Sequence, residues 1–209
     1  MAKITEEILI VSCTRMSQHA CIGAITRSGK GLRLLTIDGS NQPLDAPYEV
    51  ATIWKIDHGS IPDLIPPHVE DVRILHADYV GKTQKIRDSI ARYAPIFKTP
   101  PSHLYEGKLL FSPNGAAHIL RDDVPAFSTC FWETPDDLVL SVTGDHSGNN
   151  KYRYLTAGQS LSVPFVGLRQ IPIPIIPKGT LVRLSLARWW KRSDDEDVRC
   201  YLQLSGWYE

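Results

Sequence analysis

Residues 180–209, TLVRLSLARWWKRSDDEDVRCYLQLSGWYE, decide the reading of this chain. They hold three of its five tryptophans and two runs in which apolar and polar residues alternate. Side chains on a strand alternate faces with period two. On the first arm Val182, Leu184 and Leu186 share one face, while Arg183, Ser185, Ala187 and Trp189 share the other. On the return arm Cys200, Leu202 and Leu204 form an apolar row opposite Arg199, Tyr201, Gln203, Ser205 and Trp207. The charged segment 191–197 is too polar to bury and predicts a solvated loop. The pattern is a β-hairpin with one aliphatic face and one polar-aromatic face. With the aliphatic rows inward, Trp189, Tyr201 and Trp207 stand outside beside Arg183 and Arg199. Uncovered rings mark a binding surface, and rings interleaved with arginines suit stacking on bases and pairing with phosphates. The competing reading packs the rings under a neighbouring strand or loop, with the arginines passing over them. Trp190 breaks the alternation and marks a bulge or a strand end.

Upstream the chain continues to read as short strands. The apolar run 8–14 (ILIVSCT) predicts a central strand. Residues 20–26 and 32–37 follow as a meander across the turn Arg27-Ser28-Gly29-Lys30-Gly31. That turn lacks phosphate-loop spacing and leads into a strand rather than a helix. Residues 49–57 and 72–79 read as further strands, separated by the proline-rich 59–67. Residues 81–94 carry Ile86, Ile90 and Tyr93 at helical spacing, with Thr83 as a possible N-cap and Pro95 as the stop. In the second half, 108–112, 117–120, 138–143, 151–155 and 161–166 read as strands. Residues 144–150 read as a turn, and the proline-rich 170–179 as an extended connector. No strict repeat is present. Each half nevertheless offers four or five short strands, the number that a small five-stranded barrel needs.

Composition narrows the function classes. Lysine plus arginine equals aspartate plus glutamate, 23 each, so no global basic field drives nonspecific binding to duplex nucleic acid. Any nucleic-acid site must be a local patch. Apolar residues make up 43% of the 209, ample for a core. The start MAKITEEILIVSC lacks the features of a signal peptide, and no apolar run approaches the length of a membrane span. A cytoplasmic protein without membrane contact is expected. Cys13, Cys21, Cys130 and Cys200 are scattered, as suits reduced buried thiols rather than a disulfide framework or a zinc site.

Catalytic signatures are absent from the sequence: none of HExxH, GxSxG, GxGxxG or a Walker motif occurs. No metal and no cofactor are expected. His68, Glu70 and Asp71 lie close together after a Pro-Pro turn and read as solvated loop polars, and Asp145-His146 fits an ordinary turn. In the run Lys151-Tyr152-Arg153-Tyr154 the tyrosines share one face and the cations the other. Either face suits nucleic acid. The competing reading buries the tyrosines and exposes the charges.

Several stretches together carry a resemblance. An apolar first strand ends in Ser12-Cys13-Thr14-Arg15, Cys21-Ile22-Gly23-Ala24 and Leu32-Arg33-Leu34-Leu35 follow, and LSVTG, KYRYL and the LSLARWW…CYLQLSGWY hairpin complete the second half. This resembles the dual OB-fold domain family of bacteria, over most of the chain. The resemblance implies paired OB barrels that bind nucleic acid, in mobile-element conflict and defence systems, and it brings no catalytic set. The expectation is an all-β protein of two OB-like barrels, at 1–80 and 103–209, joined by a helix and loop at 81–102. Its expected ligand is single-stranded DNA or RNA, a nucleic-acid end or a nucleotide. The expected contacts are Arg15, Arg33, Lys151, Arg153, Arg183, Trp189, Arg199, Tyr201 and Trp207, cations on phosphate and rings on bases. Two other readings stand beside it: a protein-interaction subunit of a defence complex, and a nucleotide-acting enzyme with an Asp/His site.

Overall fold

A computed structural model describes residues 3–141, 150–156, 159–191 and 197–209, with backbone alone at 155, 156 and 159. The first half contains β1 (Lys3–Met16), β2 (His19–Thr26), β3 (Gly31–Leu35), the short β4 (Gln42–Pro43), β5 (Thr52–Ser60) and β6 (Asp71–Lys82). β1 pairs antiparallel with β2, β2 with β3, β3 parallel with β6, and β6 antiparallel with β5. β5 returns to β1, closing a ring of five strands with β4 on the edge of β2. Closure leaves the principal strands without an open edge, as in an OB barrel.

Helix α1 (Ile86–Tyr93) follows, then β7 (Ile96–Phe97), β8 (Leu110–Phe111) and β9 (Ala117–Leu120). The helix is shorter than its apolar spacing predicts. Its N-cap is Lys85 without a side-chain cap, and the Thr83 hydroxyl instead accepts from the Lys85 N–H. It stops where Ala94 N–H donates to Ile90 O, directly before Pro95.

The second half contains β10 (Thr129–Glu133), β11 (Leu138–Ser141), β12 (Lys151–Thr156), β13 (Gln159–Pro164), β14 (Ile175–Ile176), β15 (Leu181–Leu186) and β16 (Arg199–Tyr208). The connectivity of the first ring recurs if β10 and β11 are taken as one bent strand. β11 pairs with β12, β12 with β13, β16 with β15, and β15 with β10, all antiparallel. β13 leads into a parallel bridge from Phe165 to Leu204 of β16, with Val166 N–H donating to Leu204 O. The fold is therefore all-β, with one described helix and two OB-like barrels. Strand β10 escaped the sequence reading. The proline-rich connector also holds one short strand, β14, which pairs with the edge of β11.

Each barrel has its own core. Ile8, Ile10, Ile22, Leu34 and Ile56 fill the first; Trp132, Tyr152, Leu184, Leu202 and Leu204 belong to the second. A third cluster joins them: Leu9, Val11 and Ile25 from the first barrel, Ile90 from α1 and Ala94 at its C-cap, and Phe131, Leu181 and Tyr208 from the second. The unbroken apolar run at the start of β1 is thus covered on both faces. Ile8 and Ile10 point into a barrel, while Leu9 and Val11 point into the seam.

Leu181 is fully buried in this seam. We expect Leu181→Ala to cost about 2–5 kcal/mol and to destabilise both barrels together. Urea unfolding read separately at Trp54 in the first barrel and Trp132 in the second should give coincident transitions. Two separated transitions would show that the seam does not couple the barrels.

Candidate nucleic-acid interface

The seam continues from its apolar part into a polar cleft. Its floor is the outer face of β15, laid against β2 of the first barrel. The contact is close: a Cβ on Gly23 would stand 2.4 Å from Ser12 Oγ and 2.7 Å from Arg183 Nη2, so either side chain would have to shift to admit one. The end of β1 brings Arg15, β3 brings Arg33, the segment before β6 brings His68 and Glu70, and the segment after β15 brings Arg188. These residues and Arg183 line a cavity of ≈ 100 Å³.

Side chains from one barrel bond to the other along this cleft. Arg33 donates from Nε and Nη2 to the two oxygens of Asp71, at 2.6 and 2.8 Å. Arg188 of the second barrel donates to the same carboxylate. Ser128 donates its N–H and its hydroxyl to Glu70, at 2.7 and 2.8 Å. His68 Nε2 lies 3.2 Å from Leu186 O, Trp189 Nε1 donates to Pro66 O at 2.9 Å, and the Tyr208 hydroxyl donates to Val11 O at 2.5 Å. On the far side Arg169 donates to the carbonyls of Leu44, Ala46 and Tyr48.

The nine expected contact residues separate into groups. Arg15, Arg33 and Arg183 meet in the cleft. Arg33 is already paired with Asp71. Arg15 is exposed, and neither its guanidinium nor that of Arg183 has a side-chain hydrogen bond or ion pair among the described residues. Trp189 is half-buried, bonded to Pro66 and covered by Arg121 at 5.4 Å. Tyr201 belongs to a second aromatic group, 6.1 Å from exposed Trp190 and 5.6 Å from His118, with half-buried Arg199 bridged to Trp190. On β12, Arg153 is exposed and Lys151 half-buried, while Tyr152 and Tyr154 are buried. The strand buries its rings and turns its charges outward.

Two placements differ from the open-face expectation. Trp207 is core, packed against Tyr152 and Phe165. The cause is a bulge: the register slips between Leu204 and Gly206, so the alternation reverses and Trp207 joins the side of Leu202 and Leu204. Arg183 does lie on the outer face of its barrel, but the first barrel covers that face and leaves it only 7% exposed. The Gly-Asn turn with Asp145-His146 and most of the loop at 191–197 lie outside the described residues.

His68, Glu70 and Asp71 are also corrected. They are buried rather than solvated, because their segment is the strip on which the second barrel sits. Arg188 and Arg169 carried no signal in the sequence, since their partners lie more than a hundred residues away. The register Arg33↔Asp71 in the parallel β3–β6 pair is the one feature a correct strand pairing would have yielded. Three cysteines are inert thiols. Burial pushes Cys13 up to about 11, and Cys130 and Cys200 each up to about 12.

Burial, aided by the Arg188 charge, lowers His68 from 6.5 to about 4. Between those values only the unfolded chain takes up the proton. The stability that neutral His68 contributes is complete above pH 6.5 and is lost as the pH falls towards 4, about 3 kcal/mol in all. Urea titrations at pH 7 and pH 4.5 should show His68→Asn losing less stability on acidification than the parent. An equal loss would assign the acid sensitivity elsewhere.

Among curated proteins none matches the sequence. Several solved structures align over nearly the whole length at low scores. The HINb domain of p204 covers 96% of each chain at 11% identity and a TM-score of 0.37. A murine DNA-binding protein bound to double-stranded DNA covers 98% of this chain and 93% of its own, at 9% identity and 0.32. The HINa domain of Ifi202 in complex with a 20-bp duplex covers 98% and 99%, at 8% identity and 0.30. Likeness at this level says nothing about the ligand of this chain. The profile of the dual OB-containing domain, by contrast, matches residues 6–207, and the chain belongs to that family.

Proposed function

We propose that this protein binds nucleic acid, preferably single-stranded, along the mouth of the cleft between its barrels. The observation that carries the reading is local charge. In a chain of zero formal net charge, the cleft gathers Arg15, Arg33, Arg183 and Arg188 against Glu70 and the neighbouring Asp71. Asp71 balances only one of its two guanidinium partners, and Arg15 stands unpaired at the rim among the described residues. Such a site attracts a phosphate chain without a basic surface overall. Exposed Trp190 beside Tyr201 supplies a stacking platform on the second barrel. Arg199, bridged to Trp190, stands beside that platform, while Arg153 and Lys151 on β12 lie outside the cleft lining and offer a separate contact. The division into 1–80, 81–102 and 103–209 is part of the same proposal, as are a cytoplasmic setting and a role in bacterial conflict or defence.

A second reading, a protein-interaction subunit, is favoured by one feature. The far end of β6 exposes Leu75, Tyr79 and Val80, at 44%, 58% and 53%. An apolar strand end of this kind suits a protein partner.

Anisotropy titrations with short labelled DNA and RNA strands separate the two readings. Saturable binding at low salt, weakening as salt rises, is expected. Arg15→Ala should lower the slope of log K against log salt by about 1. Trp190→Ala should weaken binding by about 1–3 kcal/mol for a stacked base. If no strand binds at low salt, the nucleic-acid reading is wrong and the β6 surface becomes the leading candidate.

A further inference from the structure

Arg183 lines a second cavity besides the cleft. This one has a volume of ≈ 290 Å³, just under the usual range for small-molecule sites. Its walls include Ile25, Val69, Phe97, Phe127 and Phe131, with Lys30 among the lining residues and exposed. The two cavities share three residues: Glu70, Thr129 and Arg183. Apolar, ring-lined space thus meets a buried cation, a carboxylate and a hydroxyl.

Arg183 is more than nine-tenths buried, and among the described residues its guanidinium has no hydrogen bond or ion pair. A largely buried charge without a counter-charge is costly, and its N–H donors face the two cavities rather than a protein acceptor. The ionisable groups placed close enough to feel its field include Cys13, Cys130, Tyr105 and Tyr208, all shifted upward and so neutral near pH 7. Glu70 is the nearby anion, and both its oxygens already accept from Ser128. Each keeps a further lone pair able to accept from an amino group in the apolar cavity.

We propose that this pair of cavities binds a single nucleotide unit, with the base in the phenylalanine-lined space and its phosphate on Arg183. The inference deepens the nucleic-acid reading and rests on it for the class of ligand. Hydrophobic walls take the faces of the base. Glu70 and Thr129 offer hydrogen bonds to its edge, and Arg183 offers a planar donor set for phosphate oxygens. The same chemistry reaches the site from a free mononucleotide or from the phosphorylated end of a strand.

Calorimetric titration with the four ribonucleoside and four deoxyribonucleoside 5′-monophosphates tests this, with 5′-phosphorylated and unphosphorylated oligonucleotides in parallel. At least one mononucleotide should bind saturably to the parent protein. Arg183→Met should weaken it about tenfold or more, the equivalent of one charge-assisted hydrogen bond. That variant should keep the thermal stability of the parent, because it removes an unpaired buried charge. Should it fail to fold, Gly31→Val is the second probe. A Cβ there meets only Glu70 and Thr129, both at 3.6 Å, on the wall of the cavity. It should abolish mononucleotide binding in a folded protein.

A preference for the 5′-phosphorylated strand over its unphosphorylated form, lost in Arg183→Met, supports the site with a strand end as its source. Mononucleotide binding without that preference supports it with free nucleotide as the source. The inference is overturned if no mononucleotide binds and Arg183→Met leaves strand affinity unchanged, a result under which strand binding itself still stands. Mononucleotide binding with no strand binding supports the cavity and removes the strand-binding proposal instead.

Discussion

Each barrel carries an apolar patch on its outer face that it cannot leave in water. Leu9 and Val11 on β1 need a cover, as do Phe131, Leu181 and Tyr208 on the second barrel. Each supplies it for the other, with Ile90 of α1 filling the corner. Burial of side chains of this size is worth about 1.5–3 kcal/mol each, far more than any surface ion pair. The hydrophobic seam therefore fixes how the barrels lie, and the polar groups beside it must accept the positions that result. Gly23 is one such position: a Cβ there would collide with the Ser12 hydroxyl and the end of the Arg183 side chain.

Next to that seam the chain spends charged groups in places where desolvation works against them. Asp71 is shared by Arg33 from its own barrel and Arg188 from the other. Breaking such a network is expensive because an unpaired charge remains buried. Asp71 thus gives the polar side of the seam a preferred register that apolar contact alone would leave loose. Arg183 follows the opposite logic. It is held by its place on β15, where it pairs with Gly206 of β16 through the backbone, rather than by a counter-charge. A structural purpose would be served better by an apolar residue of similar length. That mismatch between cost and visible benefit is the physical ground for assigning it a ligand.

Much of this architecture can be read along the chain, because strands and turns are local. The alternation in 181–186 and 199–204 yields the terminal hairpin, the Gly-rich turn at 27–31 yields the first meander, and Ile86-Ile90-Tyr93 yields the helix. The family resemblance then implies two barrels. The rest was hidden by events that no local pattern records. One extra residue at Ser205 reverses the alternation and sends Trp207 inward. The strip at His68, Glu70 and Asp71 looks like an ordinary polar loop until the second barrel is set upon it. Arg183 was placed on the correct face, yet whether that face meets water or protein is a tertiary fact. The proposed site was therefore legible as a set of cations, and illegible as a place.

A site proposed between two barrels would couple binding to docking. Arg15, Arg33, His68 and Glu70 come from one barrel, and Thr129, Arg183 and Arg188 from the other. A ligand touching both sets is bound only when the barrels are packed as seen here, so its binding free energy adds directly to the stability of the packed form. The converse also holds. Any movement that loosened the seam would part the donors on β15 from the wall at Glu70 and weaken the ligand by the same amount. A site on the open sheet of a single barrel would have neither property, and this reciprocity sets a seam-borne site apart from two barrels acting as independent binders.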